Sequence, residues 1–170
     1  MASSILTTSP QWPRASTTIR QRAGDFSVIE SSPLHIQLLP STFKGEPKEV
    51  IHDTNWRAAL YGAYNTFIHT DADHVIVDAI PRQYVSMVNR KDPKLLTSRQ
   101  ITLDMSREEA LEAVQGLIDV STLQDLKAKH PKWDFYGWTD DWNSIYYSDQ
   151  QPGLGAFIHA LQPYCTHSCQ

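Results

Sequence analysis

The sequence predicts an α+β fold, in which a mostly antiparallel sheet of five to seven strands carries about four helices, mainly on one face. Two patterns support this prediction. Short runs with the alternation of half-buried strands occur throughout the chain, and runs with apolar residues three and four positions apart, typical of amphipathic helices, lie between them. A length of 170 residues with 41% apolar residues suits a single domain whose core needs no disulfide.

The first 24 residues differ in composition from the rest of the chain. They contain no acidic residue, three arginines and eight serines or threonines, and Pro10 and Pro13 interrupt any helix. We therefore predict a flexible N-terminal arm at residues 1–24. The same composition is typical of organelle transit peptides, which gives organelle targeting as the alternative to a cytoplasmic location.

The predicted domain covers residues 25–163 and begins with two strands. Phe26 and Val28 mark the first strand, and the apolar run at 34–39 marks the second. The Ser-Ser-Pro sequence between them predicts a turn. A polar loop at 41–49 follows.

One long helix and a pair of strands come next. Asp53 is a plausible N-cap for a helix over 54–68. The run at 74–80 predicts a buried strand, and the run at 83–88 predicts its antiparallel partner. The expected buried face of the helix consists of Trp56, Ala59, Leu60, Ala63, Tyr64 and Phe67.

A strand over 99–105 and a capped helix form the clearest local unit. Ser106 and Glu109 have the spacing of a capping box, which predicts that a helix begins directly after the strand. Its expected buried stripe consists of Leu111, Val114, Leu117 and Ile118.

The remaining elements are short. Ser121 and Gln124 repeat the capping pattern and predict a short helix that ends near residue 130. A last helix covers the apolar residues of 154–161 and ends at Pro163. Residues 164–170 are expected to form a short C-terminal tail.

Residues 133–147 are the most informative segment for function, because they contain seven aromatic residues, three aspartates and no basic residue. Alternation at Trp133 and Phe135 predicts a strand that points both rings inward, and the Thr-Asp-Asp-Trp sequence at 139–142 predicts a turn. Large aromatic residues in a turn are expected at the surface. The predicted partner-binding residues are Trp138, Asp140, Asp141, Trp142 and Tyr146. The structural alternative is that the whole segment packs in the core.

These observations predict a small, soluble, non-enzymatic binding protein that engages a protein partner through an acidic, aromatic surface. Adaptors, inhibitors and toxin-neutralising immunity proteins belong to this class. The local negative charge of the C-terminal part favours a basic partner over an acidic one. A formal net charge of −4 disfavours nucleic acid, and the sequence contains no apolar run long enough for a membrane span. A pocket for a small molecule or sugar is an alternative use of the same aromatic residues.

A second alternative depends on a stretch of six residues that contains four residues of types that can ligate a metal. These are His69, Asp71, Asp73 and His74. Their spacing resembles the H-x-H-x-D-H signature of metallo-β-lactamase-type hydrolases, with Asp71 in place of the middle histidine. The resemblance implies a divalent metal that acidifies a bound water for hydrolysis. Without a metal, the same residues form a polar turn in which His69 lies near a helix C-terminus. For the leading prediction, a non-enzymatic binding protein, we expect no cofactor.

Only two cysteines occur, Cys165 and Cys169, and they favour a reducing compartment because two cysteines are too few for a disulfide framework. A local disulfide between them is expected to constrain the chain little.

Overall fold

The computed structural model describes residues 25–169, which contain ten strands and four helices. The predicted arm, residues 1–24, lies outside the described residues. The strands are β1 (Phe26–Ser31), β2 (Leu34–Leu38), β3 (Ser41–Phe43), β4 (His74–Ala79), β5 (Arg82–Tyr84), β6 (Lys94–Leu95), β7 (Ile101–Ser106), β8 (Lys127–Lys129), β9 (Tyr136–Trp138) and β10 (Cys165–His167). The helices are α1 (Lys48–His69), α2 (Arg107–Gln115), α3 (Asp140–Tyr146) and α4 (Leu154–Leu161).

The main sheet has five strands in the order β1-β2-β4-β7-β10. Strands β2 and β4 are parallel, whereas the other three neighbouring pairs are antiparallel. The predicted α+β class with a mostly antiparallel sheet is confirmed. Two small sheets, β3-β5-β6 and β8-β9, complete the fold.

One hydrophobic core joins the inner face of the main sheet to all four helices. Helix α1 lies across β2, β4 and β7, and the predicted apolar face of this helix is confirmed, since all six of its residues are buried. Alternate residues of β2, β4 and β7 point to this core, so the residues between them lie on the opposite face of the sheet.

Helix α1 begins earlier than predicted. It starts at Lys48, with Pro47 at the N-cap position, so Asp53 lies inside the helix and does not cap it. The buried side chain of Ile51 extends the apolar face towards the N-terminus, and Glu49 in the first turn interacts favourably with the helix dipole.

The predicted pairing of 83–88 with the strand before it is wrong. Strand β5 pairs with β3 and β6 in a separate sheet, while β4 pairs with β2 and β7. A strand has only two hydrogen-bonding edges, and both edges of β4 are occupied. The chain after β5 lies at the surface, where Val85, Met87 and Val88 are exposed.

The capping box at the start of α2 is confirmed. The Glu109 amide donates to Ser106 Oγ at 3.2 Å, and the Ser106 amide donates to Glu109 Oε2 at 2.7 Å. The next predicted capping pair is shifted by one residue: Thr122 and Asp125 cap a 3-10 turn at Leu123–Leu126, which leads directly into β8.

Residues 164–170, predicted as a tail, contain a strand of the main sheet. Strand β10 pairs with β7, and a disulfide joins Cys165 to Cys169. Among residues 25–169, no helix is both long enough and apolar enough to span a bilayer.

Candidate functional site

The aromatic segment at 133–147 divides into an exposed part and a buried part. Residues 130–136, here called the aromatic tip, connect β8 to β9 and begin the second of these strands. The residues after β9 form α3 and belong to the core. The turn predicted at residues 139–142 does not form, and the hairpin that exists in this region joins β8 to β9, earlier in the chain.

Helix α3 explains why the Thr-Asp-Asp-Trp sequence does not form a turn of a hairpin. Thr139 is the N-cap, and its hydroxyl accepts a hydrogen bond from the Trp142 amide at 3.2 Å. Asp140 and Asp141 occupy the first helical turn, where both are exposed and where negative charge interacts favourably with the helix dipole. Their position therefore has a structural explanation that requires no partner.

Trp142 and Tyr146 do not lie at the surface, so their predicted surface position is wrong. Trp142 has no exposed area, and its ring stacks between Trp138 at 4.3 Å and Tyr146 at 5.3 Å. Tyr146 donates its hydroxyl to the Arg57 carbonyl at 3.1 Å, and burial raises its pKa. The i, i+4 spacing on α3 aligns these rings on the face that packs against the core. Of the predicted aromatic contact residues, only Trp138 is half-buried.

The aromatic tip exposes Trp133 and Phe135, which the sequence placed in the core, together with Tyr136. Trp133 is 65% exposed, Phe135 is 47% exposed and Tyr136 is 64% exposed. The inward orientation predicted for Trp133 and Phe135 is wrong because the three-residue strands of this hairpin form a separate two-stranded sheet. Such a small sheet offers no core of its own for these rings.

Local contacts hold the tip in a defined conformation. The His130 amide donates to the Phe135 carbonyl at 2.8 Å, and the two rings stack with centroids 5.0 Å apart. Lys129 Nζ lies 3.0 Å from Asp134 Oδ1. The Phe135 amide donates to the Trp133 carbonyl at 2.8 Å, which closes a tight turn at residues 133–135.

Lys127 fixes the base of the hairpin to α1. Its Nζ donates to Asn65 Oδ1 at 2.9 Å, lies 3.0 Å from His69 Nε2 and sits 4.5 Å from the centre of the Trp138 ring. Burial lowers the pKa of Lys127 to about 8. The ammonium of Lys127 makes a cation–π contact with Trp138 and a charge-assisted hydrogen bond to Asn65.

The two histidines of the predicted metal cluster contact different partners. His69 contacts Lys127, and burial together with this lysine lowers the pKa of His69. His74 Nε2 lies 2.6 Å from Asp104 Oδ1 on the outer face of the main sheet. Within residues 25–169, no group of three or more His, Cys, Asp or Glu side chains is arranged to hold a metal ion. The metal site at His69, Asp71, Asp73 and His74 stays a sequence-based prediction.

The C-terminus of α1 is neutralised by a residue that sequence reasoning missed. The guanidinium of Arg107 donates to the carbonyls of Phe67, Thr70 and Ala72, at distances between 2.6 and 3.1 Å. The positive charge expected there from His69 thus comes from the first residue of α2. The sequence holds no local signal for this contact, because the two positions lie about forty residues apart.

The outer face of the main sheet carries a second polar network that the sequence did not indicate. Asp78 Oδ2 lies 2.7 Å from His35 Nε2, and Asp78 Oδ1 accepts from Thr102 Oγ1 at 2.6 Å and from Gln100 Nε2 at 3.0 Å. His35, Asp78 and Thr102 lie on the neighbouring strands β2, β4 and β7, so parallel and antiparallel pairing brings them into contact. Gln100 directly precedes β7. Each oxygen of the buried carboxylate is satisfied, which explains how the charge is tolerated there.

Comparison with models of protein families, with curated proteins and with solved structures gave no match for this chain.

Proposed function

We propose that the protein is a non-enzymatic binding protein that engages a protein partner through the aromatic tip. The observation that supports this proposal is the exposure of Trp133, Phe135 and Tyr136, three large rings within four residues. Contiguous exposed apolar surface is uncommon on soluble monomers and is typical of interaction sites. Tryptophan and tyrosine are also the residues most enriched in the energetically dominant part of interfaces.

The contacts beneath the tip favour binding because they reduce the ordering that binding would require. The stacked pair of His130 and Phe135, the ion pair of Lys129 with Asp134 and the attachment of Lys127 to α1 restrain the hairpin before any partner arrives. Affinity increases when a contact surface is ordered in advance, since less conformational entropy is lost on association.

Charge around the tip favours a partner with an apolar, weakly charged contact surface. Residues 127–141 contain three lysines and three aspartates, so this region has no formal net charge. A polyanion such as single-stranded nucleic acid would require a positive groove beside the aromatic rings. This balance around the tip differs from the negative charge of residues 131–170 as a whole, on which the expectation of a basic partner was based. The cytoplasmic location stays a sequence-based prediction.

The proposal is tested first by identifying the partner through the tip itself. A photo-crosslinking phenylalanine derivative placed at position 133 is expected to capture one discrete protein in cells that express the chain. The same derivative at Val88, which is 96% exposed and lies outside the tip, is the matched control. Crosslinks of equal pattern from both positions would show that the tip recognises nothing specific.

Affinity for the captured protein then tests the tip quantitatively. We expect Trp133→Ala to weaken binding about thirtyfold, the effect of losing ~2 kcal/mol at an interface hot spot. Val88→Ala should leave the affinity unchanged, and raising the salt concentration should have little effect. Undiminished binding by Trp133→Ala and Tyr136→Ala would contradict the proposal. Binding of an oligosaccharide or oligonucleotide in place of a protein would contradict the proposed class of partner.

A further inference from the structure

The loop between β5 and β6, residues 85–93, exposes apolar side chains at the end of a hairpin. Strands β5 and β6 pair in antiparallel register, and both belong to the small β3-β5-β6 sheet. Val85 is 58% exposed, Met87 is 71% exposed and Val88 is 96% exposed. Three exposed apolar side chains within four residues are typical of a contact surface. We call this segment the β5–β6 loop; it shares no residue with the aromatic tip.

Hydrogen bonds hold the apex of the β5–β6 loop in one conformation. The Ser86 amide donates to the Asn89 carbonyl at 3.3 Å, and the Asn89 amide donates to Ser86 Oγ at 2.9 Å. Met87 and Val88 are the central residues of the turn that these bonds close. They are also the most exposed large apolar residues among residues 25–169. Their exposure is therefore a property of an ordered turn.

Arg90 joins the apex to the strands beneath it. Its guanidinium carbon lies 5.5 Å from the centre of the Phe43 ring and 5.5 Å from the centre of the Tyr84 ring. Its Nε donates to the Met87 carbonyl at 3.1 Å. These cation–π and hydrogen-bonding contacts connect the loop to β3 and β5. A surface that is restrained in advance loses less conformational entropy when it binds.

Basic residues follow the apolar apex directly. Residues 85–95 contain one acidic residue, Asp92, and three basic residues, which are Arg90, Lys91 and Lys94. Both lysines are exposed, and among residues 25–169 neither forms an ion pair. On the neighbouring segment after β3, Lys44 and Glu46 offset each other. The hairpin end is thus locally positive in a chain whose formal net charge is −4.

An apolar apex beside basic residues fits the surface of an anionic membrane. Aliphatic side chains enter the boundary between head groups and acyl chains, and lysines beside them attract anionic head groups. Nucleic acid is disfavoured, because Met87 and Val88 offer no aromatic face on which a base can stack. The negative charge elsewhere on the chain has little effect at the loop, since charges more than about 8 Å away are largely screened at physiological ionic strength.

We propose that the β5–β6 loop docks the protein on the surface of membranes that contain anionic phospholipids. Met87 and Val88 enter the interface, and Lys91 and Lys94 interact with the head groups. The loop does not cross the bilayer. This surface is separate from the aromatic tip, so either assignment can fail without the other.

The proposal is tested by co-sedimentation of the full chain with lipid vesicles. We expect binding to vesicles of two parts phosphatidylcholine and one part phosphatidylserine, weaker binding at high salt, and no detectable binding to phosphatidylcholine alone. Lys91→Gln with Lys94→Gln should weaken binding about thirtyfold, because each basic residue at an anionic surface changes affinity about fivefold. Met87→Ser with Val88→Ser should weaken it about tenfold or more, because the apolar groups no longer leave water.

Control variants locate the binding on the β5–β6 loop. Lys129→Gln with Lys132→Gln removes the same charge from outside the loop, and Trp133→Ala removes an exposed ring of the aromatic tip; both should bind vesicles like the wild type. The loop variants should keep the thermal midpoint of the wild type, since the substituted side chains are exposed.

Four results would overturn the proposal. The full chain does not bind the anionic vesicles, or the control variants lose as much affinity as the loop variants. Met87→Ser with Val88→Ser binds the vesicles as tightly as the wild type does, which would indicate a purely electrostatic contact. A single-stranded oligonucleotide binds the wild type more tightly than the vesicles do, which would indicate a nucleic acid as the partner of the loop.

Discussion

Replacing Trp142 with alanine should destabilise the fold severely, and replacing Trp133 should not. Trp142 has no exposed area and contacts four rings: Trp138 and Tyr146 in stacked geometry, and Tyr64 and Phe157 at centroid distances of 5.2 and 5.7 Å. Truncation of a buried tryptophan costs about 3–5 kcal/mol, and the lost ring contacts place this site towards the upper end of that range.

For a chain of this size, each kcal/mol lowers the thermal midpoint by roughly 2–4 °C, so Trp142→Ala should lower it by roughly 6–20 °C. Trp133→Ala removes a ring that is 65% exposed and should change stability by no more than about 0.5 kcal/mol. Thermal unfolding followed by circular dichroism compares the two variants directly. Equal destabilisation by both substitutions, or a shift below about 2 °C for Trp142→Ala, would refute the assignment of buried and exposed rings.

Two further outcomes are expected. Burial lowers the pKa of Lys127 to about 8. Between pH 8 and about 10 the unfolded chain therefore keeps this proton, whereas the folded chain releases it. The free energy of unfolding should rise with pH in that window. Urea denaturation at pH 7.5 and 9.5 should show a smaller rise in unfolding free energy for Lys127→Met than for wild type. The control Lys91→Met, at an exposed lysine, should match wild type. The same rise in all three proteins would show that Lys127 titrates normally. Ser106→Ala should cost ~1 kcal/mol by removing the N-cap acceptor of α2, and Ser106→Asp should restore most of the loss; a thermal midpoint unchanged in the alanine variant would contradict the role of the capping box.

Elements that depend on neighbours within one or two helical turns could be predicted from the sequence. The apolar face of α1 repeats every three to four residues over several turns, so its burial follows from periodicity alone. The capping box of α2 needs only Ser106 and Glu109, which are three positions apart. The turn before β2 and the strand at β4 follow in the same way from local composition.

The candidate site could be predicted only in part, because an aromatic ring has no sequence signature that distinguishes a buried position from an exposed one. Alternation at Trp133 and Phe135 indicated an inward-facing strand, but the small β8-β9 sheet has no layer packed on these rings. Trp142 followed two aspartates and was expected in a turn, whereas Thr139 caps a helix that turns the indole into the core. Both errors have one physical cause: burial depends on which other elements cover a residue.

By itself, the sequence determined the α+β class, the principal helices and the amphipathic faces that form the core, since these depend on propensity and period along a short stretch of chain. Only the tertiary structure decided which strands share an edge, which rings stay at the surface and which polar groups meet. Lys127 reaches His69 across 58 positions, and Asn55 reaches the Arg99 carbonyl across 44. Such contacts form because packing of the whole sheet and its helices brings distant residues together, and no local pattern encodes them.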